Sequence, residues 1–239
     1  MGASMGPLIT IAHRAGNSRA FLKEALDGGV DAVEADLRLD GGRLVARHDR
    51  RFPLLPLYYD KWFAYWSREP QVDLDEILER IEGRASLFVD IKSTSARALA
   101  MLLETLRRRQ VVAETRISGT YWRLLRRLHE EEPGLRLHHT IGDAESLDRF
   151  RQLLESGESV SGVSIHEALV DEELAARFQA RGIEIVAYQV NQLARAQQLR
   201  EWGVSGITSG DLALLRTLKG HAPPPSPPPA LEGRPFPWV

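Results

Sequence analysis

Short apolar runs alternate with longer amphipathic segments along most of the chain. The apolar runs have the composition of buried strands, and the segments between them repeat apolar residues at helical spacing. Predicted strands cover residues 8–12, 32–37, 86–91, 115–118, 135–140, 162–165, 183–190 and 206–208. Predicted helices cover residues 18–26, 74–81, 96–109, 122–129, 144–155, 171–181, 193–202 and 211–218.

This alternation predicts an α/β fold of the (β/α)8 TIM-barrel type in a single domain, because each of eight strands is followed by a helical segment. We expect the barrel over residues 8–220, preceded by an N-terminal extension of residues 1–7. Residues 51–70 are rich in aromatic side chains and are predicted to be an inserted loop. Residues 221–239 form a proline-rich C-terminal tail, for which we expect extended polyproline II structure.

The composition narrows the classes of function. The chain has 31 basic and 33 acidic residues and a formal charge of −2, so it has no overall attraction to nucleic acid. It has no cysteine, which excludes disulfides and cysteine-bound zinc. No apolar stretch approaches the roughly 20 residues of a membrane span, and no signal-peptide pattern is present. We therefore expect no transmembrane segment and a cytoplasmic location, while the oligomeric state stays open.

Three acidic residues stand at the ends of predicted strands. Glu34 and Asp36 are separated by one residue, so their carboxylates share a strand face, and Asp90 ends another strand. Close carboxylates repel each other unless a cation or a proton lies between them. The spacing is compatible with a site for a hard divalent ion such as Mg²⁺ or Ca²⁺, and also with solvated acids on an edge strand.

Histidines and cations accompany these acids. His13 and His48 each close a predicted strand, and histidine can serve as an acid or a base near neutral pH. Arg14 follows His13, and Lys92 lies two residues after Asp90, where either side chain could hold a phosphate. Two histidines, paired carboxylates and two cations are the groups needed to cleave a phosphodiester with a metal ion.

Taken in order, these segments resemble the glycerophosphodiester phosphodiesterase family, whose members are phospholipase C-like TIM barrels. The resemblance rests on His13-Arg14-Ala15, Glu34-Ala35-Asp36, His48-Asp49, Asp90-Ile91-Lys92, Tyr188-Gln-Val-Asn191 and Gly203-Val-Ser-Gly-Ile-Thr-Ser-Gly210. It implies a phosphoric diester hydrolase that cleaves a glycerophosphodiester to an alcohol and glycerol phosphate. The implied metal ligands are Glu34, Asp36 and Asp90, the implied acid–base pair is His13 and His48, and the implied phosphate ligands are Arg14 and Lys92.

The chain departs from that family in its first loop and in its third acid. It lacks the usual Pro-Glu-Asn-Thr motif after the first histidine, and Asp90 stands where the family has Glu. A short first loop with Asn17 and an Asp third ligand are similar to the sphingomyelinase D and phospholipase D-like branch, which often forms a cyclic phosphate. A barrel that binds but has lost catalysis is a further alternative.

The substrate is expected to be a small phosphodiester or a lysolipid. Candidate pocket residues are Asn17, His166, Tyr188 and Trp62. Trp62 belongs to the aromatic segment, which could offer apolar surface to a lipid or could simply pack on the barrel. The sequence leaves open the substrate headgroup, the metal and the assignment of acid and base between the two histidines.

Overall fold

The computed structural model describes residues 7–52, 55, 57–59, 64–66 and 71–220. Its strands in chain order are β1 Ile9–Ala12, β2 Ala32–Asp40, β3 Arg43–Ala46, β4 Arg50–Arg51, β5 Leu57–Tyr59, β6 Ala64–Trp66, β7 Val72–Asp73, β8 Ser86–Ile91, β9 Arg116–Gly119, β10 Arg136–Ile141, β11 Gly162–His166, β12 Glu184–Tyr188 and β13 Gly206–Ser209. The predicted N-terminal extension before residue 7, Trp62 and the predicted tail lie outside the described residues.

Eight of these strands close into a parallel barrel. The hydrogen-bonded order is β1-β13-β12-β11-β10-β9-β8-β2, and pairing of β1 with β2 completes the ring. The prediction of an α/β TIM barrel is confirmed. In this fold the loops after the strands share one end of the barrel, which is where side chains that follow different strands can meet.

Eight α-helices surround the barrel in the described part of the chain. They are α1 Arg19–Asp27, α2 Leu74–Ile81, α3 Ala96–Arg108, α4 Trp122–Glu131, α5 Ala144–Glu155, α6 Glu172–Gln179, α7 Leu193–Glu201 and α8 Leu212–Leu218. Several begin at a Ser or Asp whose side chain accepts a backbone N–H of the first turn, as Ser18 does for α1 and Asp143 for α5. None of the described helices is both long and apolar enough to cross a bilayer.

An antiparallel extension of β2 departs from the predicted alternation. β2 continues to Asp40 and pairs with β3 through a turn at Gly41 and Gly42, which have φ values of 55° and 79°. Two consecutive residues with positive φ fit the tight hairpin turn that matches strand twist, and glycine adopts them without strain. β7 then pairs with β3, and β4, β5 and β6 form a small separate sheet within the predicted insertion.

The barrel interior combines an apolar layer with a polar network. Ile11, Phe88 and Val186 form the apolar layer. Buried His138 points inward, with its Nε2 3.1 Å from an oxygen of Glu184, which also binds Arg116. A Cβ at Gly162 would lie 2.6 Å from the His138 ring, so the absence of a side chain there makes room for the imidazole.

His139, the next residue of β10, points outward beneath the helices. Its ring packs against Trp122 at 5.3 Å and Phe150 at 5.6 Å between ring centres. Burial is the largest influence on this residue and lowers the pKa of His139 to about 4. The imidazole is therefore neutral at neutral pH and serves as part of the packing between sheet and helices.

Candidate active site

Two neighbouring strands, β2 and β8, bring the predicted acids together at the end of the barrel that carries the loops after the strands. Glu34 and Asp36 are alternate residues of β2, and Asp90 on β8 is the register partner of Asp36. One carboxylate oxygen from each lies within 4.8 Å of the other two. We call these three residues the acidic cluster. Glu34 and Asp36 are buried, although they are charged side chains of the kind that normally face water.

Burial is the largest influence on every member of the acidic cluster, and by itself it raises each pKa. The charges of Asp36 and Asp90 raise the pKa of Glu34 further, well above its ordinary value. The pKa of Asp90 is also raised, because Lys92 opposes burial only in part. For Asp36, the charge of Lys92, a hydrogen bond from Asn17 and other nearby cations outweigh burial, so the pKa of Asp36 is lowered.

The acidic cluster fits a hard divalent cation by its donor set and by its dimensions. Carboxylate oxygens are the ligands that Mg²⁺ and Ca²⁺ prefer, and their metal–oxygen distances of about 2.0–2.6 Å separate opposite ligands by about 4–5 Å. The spacing of 4.8 Å or less lies within that range. The buried Glu34 carboxyl needs either a proton or a cation to be stable there. The cluster could therefore hold one such ion.

Lys92 lies against the acidic cluster. Its Nζ is 2.5 Å from Oδ2 of Asp90 and 3.1 Å from Oδ1 of Asp36. Burial would lower the pKa of Lys92, but the two carboxylates outweigh burial and raise it, so the ammonium group stays charged. The ammonium group of Lys92 is thus a fixed positive charge beside three carboxylates. It can bind an anionic group that lies next to the acidic cluster.

Arg14 lies on the other side of the cluster in a left-handed backbone conformation with φ 58°. Its backbone N–H donates to Oε2 of Glu34, and its Nε lies 3.5 Å from Oδ2 of Asp36. That Nε is buried without a hydrogen-bond partner among the described residues. A non-glycine residue in this conformation costs on the order of 1–3 kcal/mol, a strain that often marks functional sites. Arg14 thus combines a left-handed backbone with a buried Nε that faces Asp36.

The short first loop forms a single 3-10 turn over Ala15–Asn17 that lies on β2. Gly16 permits this contact, since a Cβ there would lie 2.6 Å from the Cβ of Ala35. Asn17 Nδ2 donates to Oδ2 of Asp36 at 2.7 Å, and its Oδ1 accepts the backbone N–H of Asp36 at 3.0 Å. Asn17 therefore orients a member of the acidic cluster, and its place in a substrate pocket stays a prediction.

His13 directly follows β1, at the same end of the barrel. Its backbone N–H donates to the carbonyl of Ser209, which fixes the main chain at this point. Burial, followed by the charge of Arg14, lowers the pKa of His13 to about 4, and Lys92 and His48 act in the same direction. The ring is therefore neutral at neutral pH and able to accept a proton.

His48 lies two residues beyond β3, so the expectation that it closes a strand is wrong. The backbone N–H of Arg47 still continues the pairing with β2, donating to the carbonyl of Asp36 at 2.7 Å, and the chain bends at His48 and Asp49. His48 Nδ1 lies 3.0 Å from Oδ1 of Asp49, which orients the ring. The charge of His48 acts on the pKa of His13, Asp36 and Asp90, and Asp36 acts on the pKa of His13, so both histidines lie within electrostatic reach of Asp36.

The remaining pocket candidates lie around Tyr188, at the end of β12. Burial, followed by the charge of Asp90, raises the pKa of Tyr188 to about 12, and its hydroxyl donates to the carbonyl of Ile141 at 3.3 Å. His166 contacts the Tyr188 ring edge-on at 5.4 Å. Its Nδ1 accepts the backbone N–H of Ala168 and its Nε2 lies 3.0 Å from Oε1 of Gln189, so both ring nitrogens are engaged. His166 is thus held in place beside Tyr188.

Three polar residues at the site were not among the sequence candidates. Asp49 orients His48, and Arg38 donates from Nε and Nη2 to the carbonyl of His48. Gln189, which contacts His166, has a left-handed backbone with φ 61°. The alternation of β2 could have indicated Arg38, because it follows Asp36 by two residues on the same strand face. The pattern of the sequence held no signal for the conformation of Gln189.

Comparison with known proteins gives one family and many similar structures. The sequence profile described as the glycerophosphoryl diester phosphodiesterase family matches residues 64–213, which is more than half of the chain. The matched range contains Asp90 and Lys92, while His13, Glu34 and His48 precede it. A search of curated proteins finds no match.

Similar solved structures cover nearly the whole chain. A glycerophosphodiester phosphodiesterase from Thermotoga maritima is 20% identical, with a TM-score of 0.69, over 88% of this chain and 98% of its own. One from Agrobacterium tumefaciens is 18% identical, with a TM-score of 0.66, over 89% and 99%. An Oleispira antarctica phosphodiesterase, solved in complex with the product sn-glycerol-3-phosphate, is 17% identical, with a TM-score of 0.67, over 89% and 95%. At these identities the structures establish the shared fold.

Proposed function

The chain belongs to the glycerophosphoryl diester phosphodiesterase family and is a phosphoric diester hydrolase of that type, and from this premise we propose a metal-dependent reaction with His13 and His48 as the acid–base pair. The substrate would be a glycerophosphodiester, and the products an alcohol and glycerol phosphate. One observation carries the proposal: strands β1, β2 and β8, together with the loop after β3, bring the acidic cluster, both histidines, Arg14 and Lys92 to one end of the barrel.

The cations of the site would bind the phosphodiester. Arg14 offers a side chain that is 42% exposed and whose Nε lies 3.5 Å from Asp36, and Lys92 offers a charged ammonium group held between Asp36 and Asp90. These two groups lie on different sides of the acidic cluster and would stabilise negative charge that develops on the phosphate oxygens. A divalent ion held by Glu34, Asp36 and Asp90 would supply Lewis-acid stabilisation of the same charge when bound.

The two histidines would move the protons of the reaction. One accepts a proton from the attacking hydroxyl, and the other donates a proton to the leaving alkoxide. Asp49 supports this role of His48 by fixing its ring through Nδ1, which leaves Nε2 for proton transfer. His13 is held through its backbone at the end of β1 and has a neutral ring.

The proposal is tested with His13→Ala and His48→Ala on two substrates. Both variants should lose at least about 10²-fold of activity on glycerophosphocholine, as expected for acid–base groups. On a nitrophenyl phosphodiester, whose leaving group departs without protonation, the variant that lacks the acid should recover most of its rate, while the variant that lacks the base should not. Activity like that of the wild type in both variants, on both substrates, would overturn the assignment.

Mg²⁺ and Ca²⁺ are the proposed cofactors, because the acidic cluster offers oxygen ligands alone. Titration of the purified protein with each ion by calorimetry would rank them. A protein that binds neither ion and cleaves no diester would support a binding barrel without catalysis.

A second candidate is a lipid-directed enzyme that forms a cyclic phosphate by internal attack. It is favoured by the small first loop, in which Asn17 contacts Asp36 and no fourth acid joins the cluster within the described residues. A lysolipid substrate carries a free hydroxyl that can attack its own phosphate. Phosphorus NMR separates the two reactions, since a cyclic phosphate and an open phosphate monoester give different signals. For such a lipid substrate, the aromatic segment of residues 51–70 would contribute apolar contacts.

The cytoplasmic location of the protein stays a prediction, which cell fractionation can test.

A further inference from the structure

We propose that Arg38 is a positioning residue that holds His48 at its working distance from the acidic cluster. Its guanidinium donates two hydrogen bonds to the carbonyl oxygen of His48, from Nη2 at 2.8 Å and from Nε at 3.2 Å. The inference rests on the proposed role of His48 in proton transfer and adds a residue that this role requires.

The location of Arg38 explains why it can do this. Glu34, Asp36 and Arg38 are alternate residues of β2 and share one face of the strand. Arg38 therefore ties the main chain of His48 to the strand that carries two members of the acidic cluster. Asp36 and Asp90 also influence the pKa of Arg38, which shows that the guanidinium lies within electrostatic reach of the cluster.

Among the described residues, other contacts hold the chain on either side of His48, such as the ion pair of Arg47 with Asp40 at 2.9 Å, but they do not reach the His48 carbonyl. On one side, the backbone N–H of Arg47 donates to the carbonyl of Asp36. On the other, Asp49 orients the imidazole but is itself part of the same loop. Among the described residues, the His48 carbonyl has no hydrogen-bond donor apart from Arg38. Without that clamp the peptide after His48 can rotate, and the ring can move relative to the cluster.

The two-donor geometry distinguishes positioning from a general effect of charge. A guanidinium presents Nε–H and Nη–H as a rigid fork, whereas the ammonium of lysine is a point charge on a flexible stem. Arg38→Lys keeps the charge beside the acidic cluster and removes the fork. Arg38→Met removes both. Arg43→Ala is the matched control, because Arg43 is an exposed residue of the same hairpin that pairs with Asp73 and makes no contact with His48.

The test measures kcat and KM with glycerophosphocholine in the presence of Mg²⁺ or Ca²⁺. A misplacement of about 1 Å can cost roughly 10²-fold in rate. We expect Arg38→Lys and Arg38→Met each to lower kcat by about 10- to 100-fold with KM within about threefold of the wild-type value. Arg43→Ala should keep wild-type kcat. Wild-type kcat in Arg38→Lys would overturn the inference, because charge alone would then suffice.

Two further measurements separate this inference from the proposed function. In a His48→Ala background, Arg38→Met should cause no further loss, since the residue it positions is gone; a full additional loss would overturn the inference. If His48→Ala keeps wild-type activity, the proposed function fails. If His48→Ala is inactive while the Arg38 variants keep wild-type activity, the proposed function stands and only the inference about Arg38 fails. Calorimetric metal affinity equal to that of wild type shows that the acidic cluster is intact, and Arg38→Lys decides the test if Arg38→Met does not fold.

Discussion

Glu34 and Asp36 are separated by one residue on β2, but replacing each by its neutral amide should change the free energy of unfolding to different extents. In the metal-free protein, burial together with the charges of Asp36 and Asp90 raises the pKa of Glu34 well above its ordinary value, so the site disfavours a charged carboxylate. Glu34→Gln places a neutral group of the same shape there, and its amide oxygen can still accept the backbone N–H of Arg14. We expect the free energy of unfolding to change by less than about 1 kcal/mol.

Asp36→Asn should instead be strongly destabilising. Asp36 is 2% exposed, has a lowered pKa and faces Lys92 at 3.1 Å and Arg14 at 3.5 Å. At an effective dielectric constant of 20, the pair with Lys92 is worth about 5 kcal/mol. Lys92 keeps Asp90 as a partner, so the net loss should be smaller, about 3 kcal/mol, in line with the loss of one partner from a buried pair.

The assay is equilibrium unfolding in urea at pH 7 with EDTA, followed by circular dichroism. Asp27→Asn is the matched control, because Asp27 is an exposed carboxylate that also carries two ion-pair partners, Lys23 and Arg84, and it should resemble wild type. Repeating the series with saturating metal should raise the stability of wild type and leave Glu34→Gln unchanged. If Glu34→Gln is as unstable as Asp36→Asn in EDTA, the carboxyl of Glu34 is ionised and the electrostatic account of the cluster is wrong.

Three other predictions follow from the same physical reasoning. The pKa of His139 is lowered to about 4, so at this residue the unfolded chain binds an extra proton between pH 6.5 and 4, which should lower stability by on the order of 3 kcal/mol over that range. His139→Gln should lose this share of the pH dependence of the urea midpoint and keep the share of His13, whose pKa is also lowered to about 4, while His129→Gln, at an exposed site, should keep both. Gly162→Ala should destabilise by about 1–3 kcal/mol, because its Cβ would meet the buried His138 ring, whereas Gly210→Ala, with open space around it, should unfold like wild type in the same assay. Metal binding should release a proton from the cluster because the pKa of Glu34 is raised; calorimetry in two buffers of different ionisation enthalpy measures it, and equal heats in both buffers would contradict the prediction.

The barrel could be predicted from the sequence because its strands and helices have strong and different periodicities. β8 was predicted with its observed bounds, and β2 was predicted to begin at the observed residue, Ala32. The extension of β2 to Asp40 could not be predicted from apolar alternation, because it depends on pairing with β3 outside the barrel. The same pairing carries His48 past the end of a strand.

The acidic cluster could be predicted because its acids interrupt apolar strands that are parallel neighbours in a barrel, and Glu34 and Asp36 are alternate residues on one strand face. Side-chain contacts across the site could not be predicted in the same way. Asn17 was placed in a pocket, and its hydrogen bonds with Asp36 depend on the close approach permitted by Gly16. The contact of Arg38 with the His48 carbonyl joins a residue of β2 to the loop after β3, and no local pattern records it.

Phosphorus NMR of glycerophosphocholine incubated with the purified protein tests the central claim most directly. With Mg²⁺ or Ca²⁺ present, the diester signal should be replaced by that of glycerol phosphate, and EDTA should stop the conversion. His13→Ala and His48→Ala should slow it by at least about 10²-fold. An unchanged diester signal with either ion, or conversion at the full rate in EDTA, would contradict a metal-dependent glycerophosphodiesterase site at this end of the barrel.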